Sequence, residues 1–211
     1  MRGRQSLTKL HYLFNREAST IIDELKYDDI ALYSVTRQDI ADKMTAILLQ
    51  LPNITPESTI IDCTACIGGN TISFAKQFNR VIAIENDTKR FEMLLHNISL
   101  FNFHPPHVTT ICGDCVAYLE DLSRSHNSPA SPSVDILFID PPWGGSSYQT
   151  LETIQLFLND IPLQEIIQRF LPIAKYIACK LPTNIDSTIL KLPHKIYSFY
   201  KIKFVIFRQL H

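Results

Sequence analysis

Apolar runs typical of buried strands alternate along the chain with segments of helical periodicity. The strand-like runs are rich in β-branched and aliphatic residues and lie at residues 59–62, 80–85, 108–112, 134–139 and 175–181. The helical segments carry apolar residues on one stripe and lie at residues 40–51, 70–78, 88–101, 116–122 and 160–171. This alternation predicts a doubly wound α/β fold with a mostly parallel sheet and helices on both faces.

The two ends of the chain depart from this alternation. Residues 195–200 and 203–207 alternate apolar and polar side chains, which predicts an antiparallel hairpin at the edge of the sheet. Residues 1–33 precede the first unit of the alternation, and we expect them to form a short, basic, helical extension. The remaining residues, 34–211, are predicted to form one domain.

Local signals suggest where some elements begin and end. Thr36 and Asp39 have the spacing of a capping box, so they are predicted to cap the first of these helices. Asp160-Ile161-Pro162 resembles a helix start, with an acidic cap and proline in the first turn. Residues 123–133 are rich in serine and proline and are predicted to form a surface loop.

Composition and charge narrow the class of protein. The chain has 211 residues, of which 45% are hydrophobic and 19% charged, as in an ordinary globular domain. No apolar run reaches the length of a membrane span, and no apolar leader follows Met1, so we expect an intracellular protein without a membrane partner. The net charge of −1 conceals basic ends, residues 1–16 and 191–211, which contain no acidic residue. Such ends either contact phosphates or are simply solvated.

The five cysteines raise the question of a metal site. Cys63-x-x-Cys66 and Cys112-x-x-Cys115 resemble two halves of a zinc site, but 45 residues separate them. Zinc ribbons have roughly 15–20 residues in that position, so we expect no metal. The odd fifth cysteine, Cys179, is consistent with reduced thiols in a reducing compartment.

The strand at residues 134–139 is followed by Asp140-Pro141-Pro142-Trp143-Gly144-Gly145. Proline lacks a backbone N–H, so this turn offers mainly carbonyl oxygens. The carbonyls and the Asp140 carboxylate can accept hydrogen bonds from an exocyclic amine, while Trp143 supplies a stacking face. This combination predicts methylation of the amino group of a nucleobase.

Three other predicted strands also end in carboxylates. Asp62 opens a turn containing Gly68-Gly69, which lacks the spacing of dinucleotide or triphosphate cradles but suits a sulfonium cofactor. Glu85 lies 23 residues after Asp62, where an acid commonly binds ribose hydroxyls, and Asp114 could accept from an adenine amine. Each carboxylate alone is more simply a strand-end cap, but ligands of doubly wound sheets bind at these ends.

These motifs together resemble those of class I S-adenosylmethionine-dependent methyltransferases, which have a Rossmann-like fold. More narrowly, they resemble the trimethylguanosine synthases, the RNA cap guanine-N2 methyltransferases. The resemblance covers roughly residues 30–207. It rests on Ser34-Val35-Thr36, Gly68-Gly69-Asn70-Thr71-Ile72, Val81-Ile82-Ala83-Ile84-Glu85, Pro141-Pro142-Trp143-Gly144-Gly145 with Tyr148, and Leu181-Pro182 with Asn184.

The resemblance implies S-adenosylmethionine as cofactor and 7-methylguanosine-capped RNA as partner. It implies two successive methyl transfers to the 2-amino group of the cap guanine. The implied cofactor-binding residues are Asp62, Thr64, Gly68, Gly69, Asn70, Thr71, Glu85, Asn86, Asp114 and Asp140. The implied catalytic residues are Asp140, Pro141 and Trp143, and the implied substrate-binding residues are Trp143, Ser34, Lys9 and Asn184. We expect a monomer in the nucleus or cytoplasm.

The chain departs from the pattern of that family at several positions. Asp140 stands where serine is usual, Glu85 where aspartate is usual, and Tyr33 where tryptophan is usual. Alternatives therefore stay open at this point. They are a guanine-N2 or adenine-N6 methyltransferase acting on another RNA or DNA, and a catalytically silent cap-binding module.

Overall fold

Two compact units make up the structure, a computed structural model that describes residues 2–125 and 133–208. Unit 1 ends at Asp114, and unit 2 begins at Cys115. The predicted boundary between residues 33 and 34 concerns a different division of the chain and stays a prediction.

Unit 1 contains three parallel strands, with the second strand in the middle. They are β1 (Thr59–Asp62), β2 (Arg80–Glu85) and β3 (Val108–Cys112). Its helices are α1 (Arg2–Leu13), α2 (Ser19–Glu24), α3 (Ala31–Ser34), α4 (Gln38–Leu49), α5 (Gly69–Ala75) and α6 (Thr88–Ser99). Ile60, Ile61 and Ile84 are almost entirely buried, as expected of parallel strands that are covered on both faces.

Unit 2 pairs two parallel strands and closes with a hairpin. Its strands are β4 (Val134–Ile139), β5 (Phe157–Leu158), β6 (Ile161–Pro162), β7 (Ala174–Pro182), β8 (His194–Phe199) and β9 (Ile202–Arg208). Its α-helices are α7 (Cys115–Ser125) and α8 (Leu163–Phe170), and 3-10 helices span Gly145–Thr150, Leu171–Ile173 and Ser187–Lys191. β4 runs parallel to β7, whereas β9 is antiparallel to both β7 and β8.

The predicted fold class is confirmed. Within the described residues, the sheet strands of unit 1 are parallel and lie in the order β3-β2-β1, and those of unit 2 lie in the order β4-β7-β9-β8, with β4 and β7 parallel. The predicted C-terminal hairpin is the antiparallel pair β8–β9. Among the described residues, none of the helices qualifies as a candidate membrane span.

The predicted capping box at Thr36 is wrong. α4 begins at Gln38, and its N-cap residue Arg37 makes no side-chain capping bond. The Asp39 carboxylate instead pairs with the Arg37 guanidinium, and that hydrogen bond lowers the pKa of Asp39. The Thr36 hydroxyl oxygen is buried and has no hydrogen-bond partner in the described structure.

The predicted helix start at Asp160-Ile161-Pro162 is also wrong. α8 begins at Leu163, and Ile161–Pro162 pairs with Phe157–Leu158 as the short hairpin β5–β6. Asn159 and Asp160 both have positive φ, 50° and 61°, which is the conformation of a two-residue type I′ turn. Part of the predicted loop is helical, because α7 continues to Ser125, and residues 126–132 lie outside the described residues.

Candidate active site

The turn between β1 and α5 is closed by a fully buried carboxylate. Asp62 has no exposed surface, and its Oδ2 accepts a hydrogen bond of 2.7 Å from the Thr71 hydroxyl. Its Oδ1 accepts from the backbone N–H of Thr64 at 3.3 Å. Asp62 therefore fixes both sides of the turn that ends in Gly68, and its predicted contact with a cofactor stays a prediction.

The start of α5 lies directly against the segment before α4. A Cβ atom on Gly69 would lie 2.9 Å from the Val35 Cγ1 and 3.7 Å from the Thr36 carbonyl oxygen. A larger residue at this position would require the Val35 side chain to move. The motifs at residues 34–36 and 68–72, distant in sequence, thus meet in the structure.

Two buried polar atoms beside this contact lack partners within the described residues, the Asn70 Oδ1 and the Thr36 hydroxyl oxygen. Buried oxygen atoms of this kind are nearly always hydrogen-bonded in proteins, so each unpaired one needs an explanation. A polar ligand at this turn would supply the missing bonds. The residues present therefore fit a polar ligand at this turn, and Asn70 is among the residues predicted to bind the cofactor.

Glu85 ends β2 and is held by two backbone N–H groups. Its Oε2 accepts from the N–H of Cys66 at 2.8 Å, and its Oε1 accepts from that of Asp87 at 2.9 Å. The Arg90 Nε lies 3.6 Å from the same carboxylate. Burial, with a smaller contribution from this carboxylate, raises the pKa of the Cys66 thiol to about 12.

The end of β2 is also hydrogen-bonded to the segment that carries Asp114, the last predicted carboxylate of unit 1. The Glu85 carbonyl oxygen accepts from the N–H of Gly113, which places the exposed Asp114 after the end of β3. Asn86 is exposed beside Glu85. The structure thus brings the Asp62 turn, Glu85 and Asp114 together through hydrogen bonds, and their roles toward a cofactor stay predictions.

The predicted substrate residues of unit 1 lie near an exposed tyrosine. The Lys9 Nζ is 3.9 Å from the centroid of the Tyr33 ring, and that residue is 80% exposed. The adjacent Ser34 is exposed, and its hydroxyl donates to the Ile30 carbonyl oxygen at 3.0 Å. Lys9 and Ser34, which lie far apart in sequence, are therefore neighbours through Tyr33.

In unit 2, Asp140 follows β4 and pairs with a lysine that the sequence analysis missed. The Asp140 Oδ2 lies 2.6 Å from the Nζ of Lys180, a residue of β7 that is only 5% exposed. The same Nζ lies 5.1 Å from the centroid of the Trp143 ring. One buried ammonium group therefore contacts Asp140 and Trp143, two of the three predicted catalytic residues.

Trp143 is half-buried, so its ring is neither a core residue nor freely exposed. The Tyr148 ring packs edge-on against it, with the centroids 5.1 Å apart and the planes at 83°. Its Nε1 is buried without a hydrogen-bond partner in the part of the chain that the structure describes. Pro141 is buried and Pro142 exposed, and Gly144 leaves the turn at φ 82°, a conformation that favours glycine.

Asn184 supports this turn from the other end of the motif. Its Nδ2 donates to the carbonyl oxygens of Tyr148 and Leu151, each at 2.9 Å. The amide therefore fixes the 3-10 helix that carries Tyr148. A direct contact of Asn184 with substrate stays a prediction.

A second residue missed in the sequence is Asn97, which is fully buried in α6. Its Nδ2 donates to the carbonyl oxygens of Ile67 and Lys26, and its Oδ1 accepts from the N–H of Lys26. The signal was an amide on the apolar stripe beside Leu94 and Ile98. For Lys180, the signal was a lysine within a run predicted to be a buried strand, but its partner Asp140 is fixed only by strand pairing.

The cysteines are free thiols. Among the residues described, no group of three or more His, Cys, Asp or Glu side chains is arranged to hold a metal ion. Burial and the nearby Asp140 carboxylate raise the pKa of the Cys179 thiol, whereas Cys112 is exposed.

A family model of RNA cap guanine-N2 methyltransferases matches residues 57–209, most of the chain. The chain belongs to this family. Trimethylguanosine synthase of Schizosaccharomyces pombe is 32% identical over 155 residues, which are 73% of this chain and 61% of the relative. An uncharacterized protein of Acanthamoeba polyphaga mimivirus is 33% identical over 132 residues, which are 60% of this chain and 47% of that protein. The chain thus spans only part of the length of these relatives.

Solved structures support the fold alone. A provisionally assigned methyltransferase of Porphyromonas gingivalis aligns with a TM-score of 0.69 at 18% identity, over 97% of this chain and 47% of that chain. A precorrin-6y methyltransferase of Geobacter metallireducens aligns with a TM-score of 0.58 at 16% identity, over 89% of this chain and 94% of its own. The fold is therefore that of the class I methyltransferases, as the sequence predicted.

Proposed function

We propose that the chain methylates the guanine 2-amino group of a 7-methylguanosine RNA cap, in two successive transfers. The family match supports the reaction class, and the relative from fission yeast bears the name of the trimethylated product. The observation that carries the proposal is the Asp140–Trp143 turn, in which a carboxylate and a half-exposed indole share one lysine neighbour.

In this proposal, the residues of unit 1 bind S-adenosylmethionine. Glu85 binds the ribose hydroxyls, Asp114 accepts from the adenine amine, and Asn70 binds the amino-acid portion through its unpaired oxygen. The cofactor supplies the methyl group when it is bound. Asp62 contributes by fixing the turn that carries Gly69 and Asn70.

The residues of unit 2 receive the base. The Asp140 carboxylate and the Pro141 carbonyl oxygen accept hydrogen bonds from the amine, which turns its lone pair toward the methyl donor. Guanine's amine is barely basic, so orientation matters more than proton removal, and Asp140 or water takes the proton after transfer. Asp140 is therefore an orienting group first and a base second.

Trp143 selects the methylated cap over an ordinary guanine. The 7-methylguanine ring is cationic, so stacking on an indole face gains about 0.5–2 kcal/mol relative to a neutral base. In this proposal, Lys9, whose ammonium group lies against the Tyr33 ring, contacts the cap phosphates. In this proposal, the Trp143 ring provides the specificity for the methylated base, and the charge of Lys9 adds affinity for the cap.

The test is a calorimetric titration with S-adenosylmethionine, followed by methyl transfer to a 7-methylguanosine dinucleotide cap. Mass spectrometry of the released nucleoside counts the added methyl groups, and nuclease mapping locates them on guanine. An unmethylated dinucleotide cap and an adenine-containing RNA serve as matched substrates. Turnover on the adenine substrate alone would replace the proposal with adenine methylation, and cap binding without turnover would indicate a silent binding module.

A further inference from the structure

Lys180 is an unusual residue for the interior of a sheet. It lies in β7, a strand whose residues from Tyr176 to Pro182 are all buried, and it is itself 5% exposed. Lysine is rarely buried to this degree unless a counter-charge accompanies it, because an isolated ammonium group loses its hydration. The residue therefore requires an explanation beyond packing.

Strand register brings Lys180 to the turn after β4. Ile139 of β4 and Cys179 of β7 are opposite each other in the parallel pair, so Asp140 and Lys180 take the next position along each strand. Neighbouring residues at such positions project to the same face of the sheet. The resulting Nζ–Oδ2 distance of 2.6 Å is that of a charge-assisted hydrogen bond.

We propose that Lys180 is a positioning residue, which holds the Asp140 carboxylate and the Trp143 ring in the arrangement that receives the base. This inference rests on the proposed function, because it assigns a support to the same turn. Lys180 itself does not touch the reacting atoms. It acts through Asp140 by the ion pair and through Trp143 by a cation–π contact at 5.1 Å.

The charge balance of the pair explains why a carboxylate can serve in this position. An ionised carboxylate beside Pro141 and Trp143 would be poorly solvated without a counter-ion. Paired with Lys180, the Asp140 carboxylate has its counter-ion, and the pair has no net charge. The ammonium group consequently does not repel a cationic base with an uncompensated charge.

Trp143 is the only tryptophan of the chain, so its emission reports on Lys180 directly. We expect Lys180→Met to shift the emission maximum or intensity, because it removes a cation beside the indole. The same change is expected to lower kcat at least about tenfold, equivalent to about 1.4 kcal/mol in the barrier, with the Kd for S-adenosylmethionine unchanged. Lys180→Arg, which restores the charge, is expected to recover part of both signals.

The chain provides a matched control in the same strand. Lys175 of β7 pairs with Asp135 of β4, also at 2.6 Å, but its side chain is 37% exposed. Lys175→Met removes an equivalent ion pair from the same two strands. It is expected to leave both the emission and kcat unchanged.

Coupling between Lys180 and Asp140 provides a second measurement, which stands if Lys180→Met alone fails to fold. Asp140→Ser keeps an acceptor oxygen but leaves Lys180 unpaired, whereas the double variant Asp140→Ser with Lys180→Met removes both charges. We expect the double variant to be more stable in urea than Asp140→Ser alone. A double variant no more stable than Asp140→Ser would overturn the pairing.

The outcomes separate this inference from the proposed function. If 7-methylguanosine triphosphate quenches the tryptophan emission of the wild-type protein but no methyl group is transferred, only the proposed function would be contradicted. Normal turnover, emission and nucleotide binding in Lys180→Met would overturn only the role of Lys180. A wild-type protein that binds no such nucleotide would overturn both.

Discussion

The carboxylates of the two units are held by different means. In unit 1, Asp62 and Glu85 accept hydrogen bonds from backbone N–H groups and a hydroxyl within 20 residues of them in the chain. In unit 2, Asp140 is held by the side chain of Lys180, 40 residues away. The first arrangement is part of a local turn, whereas the second includes an ion pair between side chains that strand pairing brings together.

The difference indicates how each region responds to change. Backbone donors cannot be removed by substituting a side chain, so Glu85 keeps its anchors under most mutations of its neighbours. The ion pair between Asp140 and Lys180, in contrast, is lost with one substitution. The hydrogen bonds at Glu85 are therefore less sensitive to side-chain substitution than this ion pair.

Thiol labelling at mildly alkaline pH tests how closed the turn of unit 1 is. A pKa of about 12 leaves Cys66 with about 1,000-fold less thiolate than an ordinary thiol of pKa near 9, so it should label far more slowly than exposed Cys112. Because the pKa is raised, the Cys66 rate should increase as the pH rises toward 12. Peptide mapping after native labelling measures both rates, and equal rates would contradict a closed turn.

Asp62→Ala tests the local hydrogen bonds of the same turn. It leaves the buried Thr71 hydroxyl without its acceptor, so the free energy of unfolding is expected to fall by about 1–3 kcal/mol. Urea denaturation measures the change. Asp62→Asn, which keeps an acceptor oxygen, should lose less, and a loss as large as that of the alanine variant would argue that the charge matters more than the hydrogen bond.

Asp140→Ala tests the turn of unit 2. It removes the proposed acceptor for the amine, and we expect kcat for cap methylation to fall at least about tenfold. Single-turnover assays with saturating cofactor measure the effect. Asp135→Ala removes the carboxylate of the matched ion pair with Lys175 and should retain normal turnover. A rate for Asp140→Ala within about twofold of wild type would exclude Asp140 from the mechanism.

Trp143→Ala is expected to reduce the selectivity for a methylated guanine, and this is the smallest of the predicted effects. Without the indole, the preference for a 7-methylated over an unmethylated guanine nucleotide should fall by about 2- to 30-fold, the size of a cation–π contribution. Calorimetry measures both affinities, and the affinity for S-adenosylmethionine should not change. Trp143→Phe keeps a ring and should retain part of the preference. An equal loss of cofactor affinity would show that Trp143 is a packing residue.

The fold could be predicted in most respects because its signals are local. Strands β1, β2, β3 and β4 were predicted from short buried runs, and the C-terminal hairpin from alternation. The wrong predictions concerned the starts of two helices, where local side-chain and turn geometry differs from what the sequence pattern indicates. Asp39 pairs with Arg37 instead of capping α4, and Asn159-Asp160 forms a tight turn where a helix was expected.

The candidate site shows the same limit. Asp62, Glu85 and Asp140 were recognised because each follows a strand, and strand ends can be read from local sequence. The partner of Lys180 could not be predicted, because only the register of β7 with β4 brings the lysine to Asp140. The two-residue period of a strand indicates which face of the sheet a side chain occupies, but it does not indicate which residue of the neighbouring strand lies opposite.

The pairing of β9 with β7 has a consequence for truncated forms of this protein. β9 covers one edge of β7 from Tyr176 to Pro182. A chain shortened before His194 would expose that edge as a row of unpaired amides and carbonyls, and would lose the buried Phe204, whose ring packs against Phe138. Such a fragment would recruit strands from other copies, and insolubility would then be the result of a lost neighbour rather than of an unstable core.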